Sequence, residues 1–294
     1  MKIEKIDIEL TTSCNSRCKF CPRTFMGVNN NQIGLKSLKR LLSPVLKDLK
    51  NIMFSGSFGD AIFYPNLLDI LDFLNGVKVT LATNASVGNK TFWKTLASFP
   101  HVDVIFALDG LEKSHELYRK GIKFRNVIKN ISIYINHGGN ARAQMLLFRH
   151  NENEVESVKT LVEDMGGSIY YRISRTYDDE FQRPTNLPIK KNNKSVYCQF
   201  IKENYIYISS DGKILPCCNF NPNRFSDLFG RSKDLDKVYY LSKNDINIYK
   251  STIEKALVSP LFSYIIKSKD RLSFCIKECT TLSGDKMFRE IPTT

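Results

Sequence analysis

Between residues 5 and 175 short apolar runs alternate with longer stretches of helical apolar spacing, and this alternation limits the fold more than any other feature of the chain. Strands are predicted at Ile6–Leu10, where Ile6, Ile8 and Leu10 share one face, and at Asn51–Gly56, Val77–Thr83, Val102–Leu108, Arg142–Phe148 and Ser168–Ser174. Helices are predicted at Leu35–Leu49, split by Ser43-Pro44, then at Asn66–Leu74, Lys90–Leu96, Glu112–Tyr118 with Phe124–Ile135, and Glu152–Met165. Regular alternation of this kind implies parallel strands joined by right-handed crossovers. Six such units curl the sheet toward a partial (β/α)6 TIM-like barrel, an α/β fold. Ligands of such sheets gather at the C-terminal strand ends, so the loops beginning at Thr11, Gly56, Thr83, Asp109, Arg149 and Arg175 are expected to form one mouth.

Beyond Arg175 the pattern changes. Arg183-Pro184, Leu187-Pro188 and Lys190, Lys191 and Lys194 read as a polar connection. Tyr205, Tyr207 and Ser209 then alternate with Ile206 and Ile208 before Asp211-Gly212, a hairpin signal followed by a strand at Lys213–Leu215. Ser259-Pro260 opens a further helix. The expected division is therefore a barrel core over residues 1–175 and an extension over residues 176–294.

The 294 residues, 42% of them apolar, can bury a large core, which rules out global disorder. Forty-three Lys and Arg against thirty Asp and Glu leave a net charge of +13, which favours an anionic partner. No run approaches the roughly 20 apolar residues of a membrane span. The amino-terminal MKIEKIDIEL has no signal-peptide block, so the reading is cytoplasmic and without a membrane partner.

Eight cysteines are too few for a disulfide scaffold and fall into two groups. Cys14, Cys18 and Cys21 form a C-x3-C-x2-C loop directly after the first predicted strand. Three thiolates this close suit a single metal centre, and sulfur selects zinc or an iron-sulfur cluster. A structural zinc wants a closed set of four ligands, and no fourth Cys or His lies nearby, which leaves one position open.

In this loop and its strand context the chain resembles the radical S-adenosylmethionine (SAM) superfamily. That resemblance implies a four-iron, four-sulfur cluster on Cys14, Cys18 and Cys21, with the methionine end of SAM on the free iron. It also implies reductive cleavage to a 5′-deoxyadenosyl radical that abstracts hydrogen from carbon, with an electron donor such as flavodoxin or ferredoxin. Phe20 matches the family's aromatic before the third cysteine, near the adenine, although burial in a core would also explain it. Gly56-Ser-Phe-Gly59-Asp60 stands where the family has a Gly-Glu pair that meets the SAM amino group, with Asp60 in place of the commoner Glu and Ala61 of Pro. Thr83-Asn84 resembles a Thr-Asn-Gly segment, with Ala85 where glycine is usual. Asp109-Gly110, followed by His115 and Arg119, resembles a stretch whose arginine pairs with the SAM carboxylate.

Cys198, the hairpin and Cys217 resemble the opening of the SPASM and twitch extensions, which hold auxiliary iron-sulfur clusters. Cys198, Cys217, Cys275 and Cys279 would close one auxiliary four-iron cluster, leaving Cys218 spare. A structural zinc suits the same four ligands. A closed auxiliary cluster favours oxidative chemistry, with the electron leaving a substrate radical through it. The charge, the lysines near residue 190 and the aromatic-rich stretch from Tyr197 to Tyr249 favour an acidic peptide or protein substrate. A chain starting at the first strand argues the other way, having no room for a leader-binding domain, and nucleic acid would use the same charge. The alternatives are dehydrogenation of a small alcohol or aminocyclitol, and a non-catalytic iron-sulfur carrier or sensor. Arg172 and Arg175 are expected at the mouth, and His101, His137 and His150 in structural or exposed roles.

Overall fold

The computed structural model describes residues 2–26, 28–174, 176–185, 197–221, 233–242, 246–268, 272 and 275. Seven parallel strands and one antiparallel strand make a single open sheet in the order β6-β5-β4-β3-β2-β1-β7-β8. The strands are β1 (Lys5–Ile8), β2 (Asn51–Phe54), β3 (Lys78–Thr83), β4 (Val102–Ala107), β5 (Asn140–Leu147), β6 (Ser168–Ile173), β7 (Tyr205–Ile208) and β8 (Ile214–Leu215). Helix α1 (Pro22–Met26) follows the cysteine loop and α2 (Leu35–Leu42) precedes β2. The later crossovers are α3 (Leu67–Phe73), α4 (Lys90–Ala97), α5 (Glu112–Tyr118) with α6 (Phe124–Asn136), and α7 (Val155–Asp164). Short α8 (Gln199–Lys202) leads into β7, and α9 (Lys233–Ser242), α10 (Ile253–Leu257) and α11 (Pro260–Ser268) complete the described chain.

Strand periodicity sorts each sheet residue to one of two faces. Ile6, Ile8, Ile52, Phe54, Val79, Leu81, Val104, Phe106, Ala143 and Met145 are buried in the main apolar core. Amphipathic α4 supplies Trp93, which is wholly buried and stacks edge-on near Tyr134 of α6, with ring centroids 6.4 Å apart. The start of α4 is set by Asn89, whose side chain accepts from the Phe92 N–H at 2.8 Å. The opposite sheet face is polar: Asp7 and Glu9 on the β1 side face the β7 phenols, with Tyr205 donating to Asp7 at 3.1 Å and Tyr207 to Glu9 at 2.7 Å.

One sequence expectation changes in detail. The stretch Leu35–Leu49 gives one α-helix and, after Ser43-Pro44, only a 3-10 turn at Leu46–Asp48. The hairpin strand β7 pairs parallel with β1, Lys5 opposite Tyr205 and Ile8 opposite Ile208. Pairing this far along the chain is settled by the open edge of β1, which local sequence does not display.

Candidate functional site

The cysteine loop leaves the C-terminal end of β1 and is pinned from several sides. Thr12 donates its N–H to Asn31 O at 2.9 Å and Arg17 its N–H to Lys120 O at 2.9 Å, while Asp60 N–H reaches Ser13 O at 2.9 Å. Gly59 is required by this contact, because a Cβ there would lie 2.0 Å from the Thr11 carbonyl oxygen. The β2 loop can therefore lie directly on the backbone that presents the thiols.

Donors converge on the sulfurs. Ser16 N–H donates to Cys14 Sγ at 3.4 Å, and the Ser16 hydroxyl lies 2.9 Å from Cys18 Sγ. Asn84 Nδ2 approaches Cys14 Sγ at 3.5 Å and Asn15 Oδ1 at 3.2 Å. Burial, with Asp60 adding to it, pushes the Cys14 thiol up to about 11, and burial also raises Cys21. Arg23 opposes both shifts, and its guanidinium donates to the Ser16 carbonyl. Cys18 is 7% exposed and packs in a satellite cluster with Tyr118, Phe148 and Phe181.

The donor set here, three thiols of one loop with hydrogen-bond donors aimed at two of them, fits an iron-sulfur cluster held by sulfur.

The remaining predicted residues surround this loop in different ways. Phe20 is half-buried among aromatics, 5.9 Å from Phe181 and 6.0 Å from Phe148 between ring centroids. Asp60 faces inward: its carboxylate accepts from Asn84 N–H at 2.7 Å, the Thr83 hydroxyl at 3.1 Å and Ile62 N–H at 3.2 Å. Burial raises its pKa against those hydrogen bonds. Asp109 is likewise wholly buried, holding Arg119 Nε at 2.6 Å and Leu146 N–H at 2.7 Å. Burial by itself would lower the Arg119 guanidinium, but Asp109 and Cys18 outweigh it and its pKa is raised. The terminal nitrogens of Arg119 make no hydrogen bond to another described residue, and Arg119 influences Cys21 electrostatically.

Ala85 has a left-handed backbone, φ 53°, which accounts for the glycine usual at that place. Gly110, φ +124°, is confined by Glu154 and Ser114. Asn15, Ser16 and Arg23 were not singled out by sequence, since polar residues between cysteines carry no spacing signal of their own. Glu9 was missed too, although the alternation of Lys5, Asp7 and Glu9 with Ile6, Ile8 and Leu10 does mark a polar inner face.

Of the second cysteine group, Cys198, Cys217 and Cys218 lie toward the other end of β7. Leu215 pairs with Tyr207, so Cys217 and Cys218 follow toward the start of that strand, and both influence the Tyr205 phenol. Cys198 begins α8, Cys275 is buried in the main core, and Cys279 lies outside the described residues, as does Arg175. Arg172 reaches Gln144 Oε1 at 3.3 Å on the polar sheet face. Among the described residues no helix is long and apolar enough to cross a membrane.

An open, mostly parallel α/β sheet with a thiol loop at its strand C-termini is the architecture of a partial-barrel enzyme core. The family model of the Radical SAM superfamily matches residues 8–162, more than half of the chain, and the chain belongs to that superfamily. It is a radical SAM enzyme. The chain is similar in fold to SuiB of Streptococcus suis bound to precursor peptide SuiA, with TM-score 0.61, 16% identity and coverage of 96% of this chain and 71% of that one. It is also similar to native anSMEcpe with bound AdoMet, with TM-score 0.62, 15% identity and coverage of 94% and 88%. Against another crystal structure of Streptococcus suis SuiB the TM-score is 0.56 at 17% identity, over 81% of this chain and 66% of that chain's length. No curated protein matches the chain. Membership of the superfamily implies SAM binding, a four-iron cluster and radical cleavage of SAM.

Proposed function

We propose that Cys14, Cys18 and Cys21 hold the radical SAM cluster and that the enzyme abstracts hydrogen from a carbon of a peptide or protein. The carrying observation is the thiol loop at the end of β1, with Ser16 and Asn84 directed at two of its sulfurs. When bound, the cluster supplies the electron that splits the SAM sulfonium. The chain's residues then do the rest: Asn84 and Ser16 orient the thiolates, Asp60 fixes Asn84, and Asp109 steadies Arg119 for the SAM carboxylate. Phe20 and Gly59 complete the SAM side of the mouth. A peptide substrate is supported by the net charge of +13 and by the fold shared with SuiB, which was seen with its precursor peptide.

Residues 1–175 are the proposed barrel core and 176–294 the extension. Cys198, Cys217, Cys275 and Cys279 are its auxiliary cluster ligands, flavodoxin or ferredoxin is the electron donor, and the setting is cytoplasmic. Anaerobically reconstituted protein with dithionite and SAM should release 5′-deoxyadenosine, and Cys14→Ala, Cys18→Ala or Cys21→Ala should abolish it. Iron should be about eight per chain with both clusters and about four after Cys198→Ala or Cys217→Ala. Unchanged 5′-deoxyadenosine in the loop variants would overturn the site. Failure of acidic peptides to raise its yield, where small alcohols do, would overturn the substrate class.

A further inference from the structure

The polar stretch after β6 does not run free of the barrel. Residues 179, 180, 182 and 183 are exposed, yet Phe181 between them is 0% exposed. Its ring lies 5.9 Å from Phe20, 5.5 Å from Tyr118, 5.4 Å from Phe148 and 5.2 Å from His150, centroid to centroid. This group is separate from the main core and includes Cys18, with Cys21 packed against it. One aromatic from the segment after β6 thus closes a pocket of aromatic rings built on the thiol loop.

The segment is also fastened to that loop. Lys19 Nζ binds Asp178 at 2.6 Å and Glu180 at 2.7 Å and sits 5.4 Å from the Phe181 ring centroid. Asp178 Oδ1 accepts from the Phe181 and Glu180 N–H groups at 2.8 and 3.1 Å, which shapes the turn that aims the ring inward. Arg149 N–H donates to Gln182 O at 2.9 Å, and Glu152 accepts from Thr185 N–H and hydroxyl at 2.7 and 2.9 Å. Exposed ion pairs contribute little each, so their value here is in fixing position, with Phe181 the main anchor.

We propose that residues 176–185 are a strap that keeps water from the Cys18 and Cys21 side of the metal centre, with Phe181 as its plug. The proposal rests on the assignment of Cys14, Cys18 and Cys21 as ligands. Reduction adds negative charge to a cluster, and a dry, weakly polar wall disfavours that charge, so the strap holds the potential down. The same wall slows the approach of oxidants.

The test uses the full chain, reconstituted anaerobically. Phe181→Ala should keep its iron while the midpoint potential, followed by electron paramagnetic resonance, moves positive and cluster absorbance bleaches several-fold faster in air. Phe181→Leu should stay close to the parent, and Asp178→Asn with Glu180→Gln should bleach at an intermediate rate. Unchanged potential and bleaching in an iron-loaded Phe181→Ala would overturn the strap. If that variant takes up no iron, parental bleaching of the Asp178→Asn, Glu180→Gln variant would overturn it instead. Retention of the cluster signal by Cys18→Ala would remove the ligand assignment on which the strap rests.

Discussion

His115 shows how a single side chain ties stability to pH. It is 0% exposed, its Nδ1 accepts from the Asp109 N–H at 3.2 Å, and burial lowers its pKa from 6.5 to about 4. The neutral ring therefore favours the folded state above pH 6.5, and that contribution is lost as pH falls from 6.5 to about 4, because the unfolded chain takes up the proton first. The loss should approach about 3 kcal/mol. In His115→Asn, whose Oδ1 can replace Nδ1, the fall in urea stability over that window should flatten by a similar amount. Gly110 is a second single-residue constraint: a Cβ there would lie 2.6 Å from Glu154 Oε2 at a φ of +124°. Gly110→Ala should cost about 2 kcal/mol or more in denaturant unfolding. The glycine itself was legible in the sequence, but its reason, the crowding by Glu154 and Ser114, was not.

At the scale of elements, β1 carries the site on one end and two opposed environments along its length. Ile6 and Ile8 enter the main core, while Asp7 and the following Glu9 meet the phenols of β7. Tyr207 and Glu9 are both 0% exposed, and burial together with the neighbouring carboxylate lifts the Tyr207 phenol well above its ordinary value. It stays a donor throughout the useful pH range. Removing that donor leaves a buried carboxylate with less compensation, so Tyr207→Phe should destabilise by about 1–3 kcal/mol, seen as a lower unfolding midpoint. The alternation of Tyr205, Tyr207 and Ser209 with Ile206 and Ile208 marks a strand in the sequence itself. Its partner could not be read, because a parallel pair 200 residues apart, as Lys5 and Tyr205 are, leaves no local turn signal.

For the whole molecule, β7 covers the edge of β1 that a six-unit core would expose. A chain ending at residue 175 would leave Lys5–Ile8 with unpaired backbone on one side and would lose the strap over the thiols. It should elute as aggregates in size-exclusion chromatography where the full chain elutes as a defined species, and should hold less iron. A monodisperse fragment with full iron would show that the edge needs no cover.

The sequence alone determined the alternating α/β architecture and the position of the thiol loop, because period, turn residues and cysteine spacing are local properties. The resemblance to the superfamily, rather than any local pattern, pointed to Asn84, Asp60, Asp109 and Arg119. Only the tertiary structure decided what these residues face: Asp60 and Asp109 turn inward to hold Asn84 and Arg119, and Phe181 folds back over Cys18. Such partnerships join distant segments and depend on burial, which a one-dimensional pattern does not encode.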